Sequence, residues 1–419
     1  MIIEARELFT GETTYAPGWI RIEDEHVIAA GEGTAGSAPD LRFREALIAP
    51  GYVDVHCHGG GGGSFSTTDD DEIDQVLTTH LATGTTTMVA SLVTASPDTL
   101  RSQIATLTGR FQAGDIAGIH LEGPWLSPDF MGAHDGTFLM SPEIGFLTEL
   151  IELGQGAIKM VTIAPELDGG LAAIQFLAGH DVVVAIGHTG CTYDQARAAI
   201  AAGARGATHL FNAMAPLHHR RPGPILALLR DPRVYLEIIF DDLHIHPDLA
   251  AFALDLAGRR GVLVTDAMAA AGNSDGRYLL GELEVSVEDS VARLEDSDTI
   301  AGSTLLLESA VQNAVAAGVP RQNAIRAATA NAADYLKLPG VGRLEPGVWA
   351  DLIVLDQQLN IQRTMRHGNW APAADRRAPQ VWTETEKSSV QTSSSIDKPH
   401  GNSASSIAAL SHILRRNLL

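Results

Sequence analysis

Six residues close five separate apolar runs of this chain. His56 and His58 end VDVHCH, Glu122 ends IAGIHLE, His188 ends VVVAIGH, His209 ends ARGATH and Asp266 ends VLVTD. Imidazole and carboxylate groups are the side chains that hold a divalent ion with borderline character at neutral pH. A parallel barrel collects such groups at one mouth, because its active site lies at the C-terminal ends of its strands. Six in order along one chain point to metal-assisted hydrolysis.

The local spacing supports a shared ion. Residues two apart in a strand face the same side, so His56 and His58 point together while Cys57 points away. The glycine run Gly59 to Gly63 follows and leaves room for an open site. Glu122 follows His120 and Leu121 and precedes Gly123-Pro124, a turn that places its carboxylate at the rim. A buried carboxylate is costly without a partner, and a cation is the simplest one. His188 and His209 add two imidazoles, and a His, His, Glu set suits zinc while tolerating iron or cobalt. Three protein ligands leave a position for water, and Asp266 is placed to take that water's proton.

Elements able to position these residues are legible in the pattern. Between Ala49 and about Asp334 eight strand-like runs occur: VDVHCH, TTTMVASL, IAGIHLE, IKMVTIAP, VVVAIGH, GATHLF, VYLEIIFD and VLVTD. Helical stretches alternate with most of them: after Asp69, from Leu171 to Ala178, through TYDQARAAIAAG and through HPDLAAFALDLAG. Thr192 and Gln195 have capping-box spacing, starting a helix just after His188. Alternating β and α segments predict a closed eight-stranded α/β barrel of the TIM type over residues 49–334. Short strands separated by Gly and Pro at 1–48 and again at 335–370 predict a small β-sandwich built from both chain ends. From Ala371 to Leu419 the composition turns to Ser, Thr, Pro and charge, which predicts a disordered tail with a terminal helix at most.

Composition narrows the function classes. The chain has 419 residues, 29 Lys plus Arg against 51 Asp plus Glu, and a net charge of −22. A field of that sign repels nucleic acid and anionic membranes, so neither is an expected partner. An anionic substrate then needs a local cationic group, and His218-His219-Arg220-Arg221 provides one. Two cysteines, Cys57 and Cys191, cannot build a disulfide framework, and MIIEARELF is acidic where a signal peptide is basic, so a cytoplasmic location is expected.

HLEGPWLSPDFMGAH, GHTGCTYDQA, THLFNAM with a following RPG, and LVTDAM together resemble the N-acetylglucosamine-6-phosphate deacetylase family of the amidohydrolase superfamily. PGYVDVHCHG and GRLEPGVWADLIVLD are shared across the superfamily and specify no more than that. The resemblance implies that Glu122, His188 and His209 bind the main metal and that Asp266 is the catalytic acid and base. Members of the family vary at the HxH pair and some use a single metal, so the resemblance implies one ion or two, the second at His56 and His58 and bridged through Glu122; it also implies a hydrogen bond from His134 to the developing oxyanion. Substrate contacts are implied for Ala133, His134, Asn212, Ala213, Arg220 and His244, and for the Ile300, Ala301, Gly302 turn before Ser303. The substrate would be N-acetylglucosamine 6-phosphate, the products acetate and glucosamine 6-phosphate, and the assembly a homodimer. Two other readings compete: another amidohydrolase, such as a cyclic amidase or deaminase, and a non-catalytic assembly protein of the same fold. Cyclic amidases of the dihydroorotase type bridge two metals with a modified Lys, and Lys159 is read here as structural. Assembly proteins lose the metal ligands, which this chain keeps.

Overall fold

All eight apolar runs form parallel strands: β1 (Tyr52–Cys57), β2 (Thr85–Leu92), β3 (Gly118–Glu122), β4 (Ile158–Ile163), β5 (Val183–Ile186), β6 (Gly206–Ala207), β7 (Tyr235–Ile239) and β8 (Gly261–Val264). The structure is a computed structural model, and the residues it describes are 1–295 and 297–372. The tail expected to be disordered therefore lies almost wholly outside the described residues.

The strands pair in chain order, each with the next. The ring closes between its ends: the Asp266 amide donates to the His56 carbonyl at 2.9 Å, and the His58 amide to the Ala267 carbonyl at 2.8 Å. These closing bonds join the end of β1 to the segment carrying Asp266, so closing the barrel and building the site are one event. Strands covered on both faces show no alternation of burial, and every residue of β2, TTTMVASL, is buried, its three Thr and one Ser included. Outside, the Asp69 side chain accepts from the Asp71 amide to start helix Asp70–Ala82. Thr192 and Gln195 form the capping box of helix Tyr193–Ala202, which fixes the chain leaving His188.

Strands from the two chain ends meet in a second, mixed sheet. Leu41–Pro50 is the junction, pairing parallel with Ile2–Phe9 and antiparallel with Leu352–Leu355. Ile3, Leu8, Ile20, Ile48, Leu352 and Val354 form its separate core. A third element has no counterpart in the sequence reading. Gly276–Leu280, Leu283–Glu288 and Val291–Leu294 make an antiparallel meander after β8. Its Leu280, Val285 and Val287 pack on Val93, Ala133 and Ala301, which fastens it over the barrel mouth. Among the described residues, no helix is long and apolar enough to cross a membrane.

Candidate metal centre

His56 and His58 leave the end of β1 on the same side, with Nε2 atoms 3.1 Å apart. Cys57 points the other way, its thiol donating to the Gly59 carbonyl at 3.3 Å. Glu122, at the end of β3, divides its two oxygens. Oε1 lies 3.2 Å from His188 Nε2 and 3.0 Å from His209 Nε2. Oε2 lies 3.0 Å from His58 Nε2 and 3.4 Å from His56 Nε2. Asp266 Oδ1 completes the second group, 3.2 Å from His58 Nε2 and 3.4 Å from His56 Nε2. Two clusters of donor atoms thus share one carboxylate.

The donor set fits a divalent ion. Glu122 Oε1, His188 Nε2 and His209 Nε2 are 3.0 to 3.2 Å from one another, near the roughly 3.3 Å edges of a tetrahedron with ~2.0–2.1 Å bonds. The far sides of the rings agree. His188 Nδ1 faces the Phe130 carbonyl at 2.9 Å, His58 Nδ1 the Ser91 carbonyl at 3.1 Å and His56 Nδ1 the Glu237 carboxylate at 3.0 Å. Acceptors there require N–H on Nδ1, which leaves each Nε2 lone pair facing the others. Lone pairs converging at such separations repel unless a cation sits among them.

His134 has the opposite polarity. Its Nδ1 accepts from the Thr94 amide at 3.3 Å, so its proton is on Nε2, the atom 3.6 Å from Glu122 Oε2. It is therefore built as a donor into the site and not as a ligand.

Charge reinforces this arrangement. Burial works against a proton on His188 and takes its pKa down to about 4. At His56, His58 and His209 burial has the same sense, but Glu122 and Asp266 outweigh it and raise the pKa. Burial likewise disfavours the charged forms of Glu122 and Asp266, yet the surrounding imidazoles hold both below the usual carboxylate range. Such a cluster stays anionic at its carboxylates and attracts positive charge.

The backbone is strained at the same place. His188, His209 and Asp266 have φ of 46°, 29° and 50°, in the left-handed region, at a cost of about 1–3 kcal/mol each. The strand ends turn sharply, and the turns aim these three side chains inward.

A cavity of about 500 Å³ opens from the centre and is lined by His58, Glu122, His134, His188, His209 and Asp266. Ala133, Asn212, Ala213 and His244 line it too, as do Ile300 and Gly302. His56 is fully buried behind them. Ala301 is fully buried as well, inside the cluster that anchors the meander. Arg220 is elsewhere: it is exposed on the turn closed by the His218–Arg221 bridge and does not line the cavity. Lys159 extends over the Phe111 ring at 5.2 Å, outside the barrel lumen, in a packing role.

Several contributors escaped the sequence reading. Asp129, Thr299 and Leu280 line the cavity from loops and from the meander, and loop positions carry no periodic signal. Glu237 was visible as the one charge inside the apolar run VYLEIIF, a pattern that marks a buried carboxylate needing partners.

Comparison with known proteins places this geometry. The model of the amidohydrolase family matches residues 47–371, and divalent metal sites go with that family. N-acetyl-D-glucosamine-6-phosphate deacetylase of Mycobacterium smegmatis, solved as an aspartate-to-alanine variant with N-acetyl-D-glucosamine-6-phosphate, is 46% identical with a TM-score of 0.87, covering 88% of this chain and 99% of that one. N-acetylgalactosamine-6-phosphate deacetylase of Escherichia coli O157:H7 is 36% identical over 88% of this chain and 99% of its own length. N-acetylglucosamine-6-phosphate deacetylase of Vibrio furnissii is 32% identical over 87% and 93%. With a matched region that contains every donor of the two clusters, the chain belongs to the amidohydrolase family.

Proposed function

We propose that this protein hydrolyses the N-acetyl group of N-acetylglucosamine 6-phosphate, releasing acetate and glucosamine 6-phosphate. The observation that carries the reading is the pairing, in one cavity, of a carboxylate shared between two imidazole pairs with a histidine of opposite tautomer. Glu122 Oε1, His188 and His209 would hold the main ion, and His56, His58 and Glu122 Oε2 a second. Zinc ranks first by ligand type, ahead of iron and cobalt. When bound, such an ion polarises the acetyl carbonyl and lowers the pKa of water from 15.7 toward about 7.

The residues of the chain do the rest. An amide resists hydrolysis because its carbonyl is a weak electrophile and its nitrogen a poor leaving group. His134 Nε2–H donates to the oxygen that becomes negative as the carbonyl carbon turns tetrahedral. Asp266, nearly buried and anionic, takes the proton of the attacking water and passes it to the nitrogen as the C–N bond breaks. Asn212, Ala213 and His244, with the Ile300 to Gly302 turn, shape the sugar pocket. No Lys or Arg lines the cavity among the described residues, whereas Arg220 is exposed on a cationic turn. That contrast supports a homodimer in which the turn of one copy meets the phosphate in the cavity of the other.

An acetate-release assay with chelated and metal-restored enzyme tests this reading. Metal-dependent release from N-acetylglucosamine 6-phosphate is expected, and its absence rejects the proposal. A second reading rests on the Escherichia coli relative, named for the C4 epimer of the sugar. Faster release from N-acetylgalactosamine 6-phosphate would favour it.

A further inference from the structure

Beneath the metal ligands one charged side chain has no role in the chemistry above. Glu237 is wholly buried in β7, a strand otherwise composed of Tyr235, Leu236, Ile238 and Ile239. Removing a carboxylate from water costs several kcal/mol unless donors replace the lost hydration. The donors around Glu237 therefore define its use.

Three groups face it. Oε1 accepts from the Tyr335 hydroxyl at 3.0 Å. Tyr335 ends helix Ala330–Tyr335 and reaches inward past Gly206, where any Cβ would collide with the hydroxyl. Oε2 accepts both from His56 Nδ1 at 3.0 Å and from the His209 backbone amide at 3.3 Å. These two residues stand on opposite sides of the shared carboxylate, His209 beside Glu122 Oε1 and His56 beside Oε2.

We infer that Glu237 is a positioning residue that holds the two halves of the metal centre in register. One oxygen fixes the His56 proton on Nδ1, so that Nε2 faces His58, and also holds the His209 backbone at its strained φ of 29°. His58 and His188 have only carbonyl acceptors at Nδ1. A carboxylate partner makes an imidazole a stronger donor than a carbonyl does, so His56 is the ligand tuned most strongly. His209 Nδ1 is buried without a partner among the described residues, so this residue is held through its backbone, by Glu237 at the amide and by Asn212 at the carbonyl, the latter at 3.0 Å.

The inference rests on the metal reading, and zinc binding to metal-free protein separates the two. Competition with a chromophoric chelator should give two ions per wild-type chain. Glu237→Gln, nearly isosteric, should weaken the ion at His56 and His58 by about 10- to 100-fold, and the other ion by less. Two ions with unchanged affinities in the variant overturn the inference alone. Fewer than two ions in wild type overturn the joining of two halves, and none at all removes the metal reading with it. A second readout needs no variant: in zinc-loaded protein with ¹⁵N-histidine, the His56 Nδ1–H proton should resonate downfield of those of His58 and His188. Glu237→Gln should move that resonance upfield while His58 stays in place. A His56 signal no further downfield than the carbonyl-bonded ones contradicts the inference, whether or not the variant folds.

Discussion

Replacing Asp266 by Asn removes a proton acceptor, and with it one negative charge beside His56 and His58, while leaving the shape of the site intact. The residue is 7% exposed, and its Oδ1 lies 3.2 Å from His58 Nε2. Asn has the same shape, and its amide oxygen can still face the imidazoles. The backbone at φ 50° is also one that Asn adopts readily. Two bonds keep it there whatever the side chain: the amide of residue 266 donates to the His56 carbonyl at 2.9 Å, and its carbonyl accepts from the Ser303 amide at 2.7 Å. What Asn cannot do is accept the water proton or return it to the amine. General acid and base catalysis contributes about 10²- to 10⁴-fold, or roughly 2.7–5.5 kcal/mol of barrier. The loss should appear in kcat and kcat/KM alike, because a proton in flight exists only in the transition state. Acetate release measured with saturating N-acetylglucosamine 6-phosphate, alongside elemental analysis, should show metal retained at Glu122, His188 and His209 with kcat reduced by that factor. Unchanged kcat with intact metal would refute the assignment of Asp266 as the base.

Three further outcomes can be checked. Arg220→Ala should lower kcat/KM for the phosphorylated substrate by about 10- to 100-fold, the loss of a charge-assisted contact, while hydrolysis of unphosphorylated N-acetylglucosamine stays as it was; equal losses on both would take Arg220 out of phosphate recognition. Elemental analysis of His56→Gln should fall from two ions per chain toward one, and an unaltered count would remove His56 from the second cluster. Asp351 has one oxygen accepting from the His367 amide at 2.6 Å and the other buried without a hydrogen-bond partner among the described residues. Burial raises its pKa from 3.8 to about 6, so the folded state prefers the neutral acid. The penalty for ionising it is absent below the unfolded pKa and complete above the folded one, at about 3 kcal/mol. Asp351→Asn should therefore raise Tm relative to the parent increasingly as pH rises from 4 to 7; a difference in Tm independent of pH would contradict this.

The barrel was legible because five of its eight strands carry two signals at once, an apolar run and a ligand-type residue where the run stops. Even β6, only two residues long, is betrayed by His209 behind it. The pairing of His56 with His58 follows from the period of a strand, and the structure brings their Nε2 atoms together. The meander at 276–294 was missed for a physical reason. Its strands alternate buried and exposed residues, as in Leu283–Glu288, and sit between β8 and helix Leu307–Ala316, where a barrel pattern leads the reader to expect loop. The distances that divide Glu122 between two clusters, and the tautomers set by Phe130, Ser91, Glu237 and Thr94, depend on contacts across the barrel. No linear pattern contains them. Arg220 illustrates the converse: a cationic motif is easy to see, but its position relative to the cavity is a property of the fold.

A common divalent ion at Glu122, His188 and His209 is the claim from which the rest descends. Anomalous diffraction from crystals of the metal-loaded protein, collected on both sides of the metal's absorption edge, tests it without reference to activity. A peak is expected about 2.0–2.2 Å from Glu122 Oε1 and from both Nε2 atoms, with a second peak between His56 and His58. Metal-loaded crystals with no anomalous density among these three residues, or with the ion bound elsewhere, would contradict it.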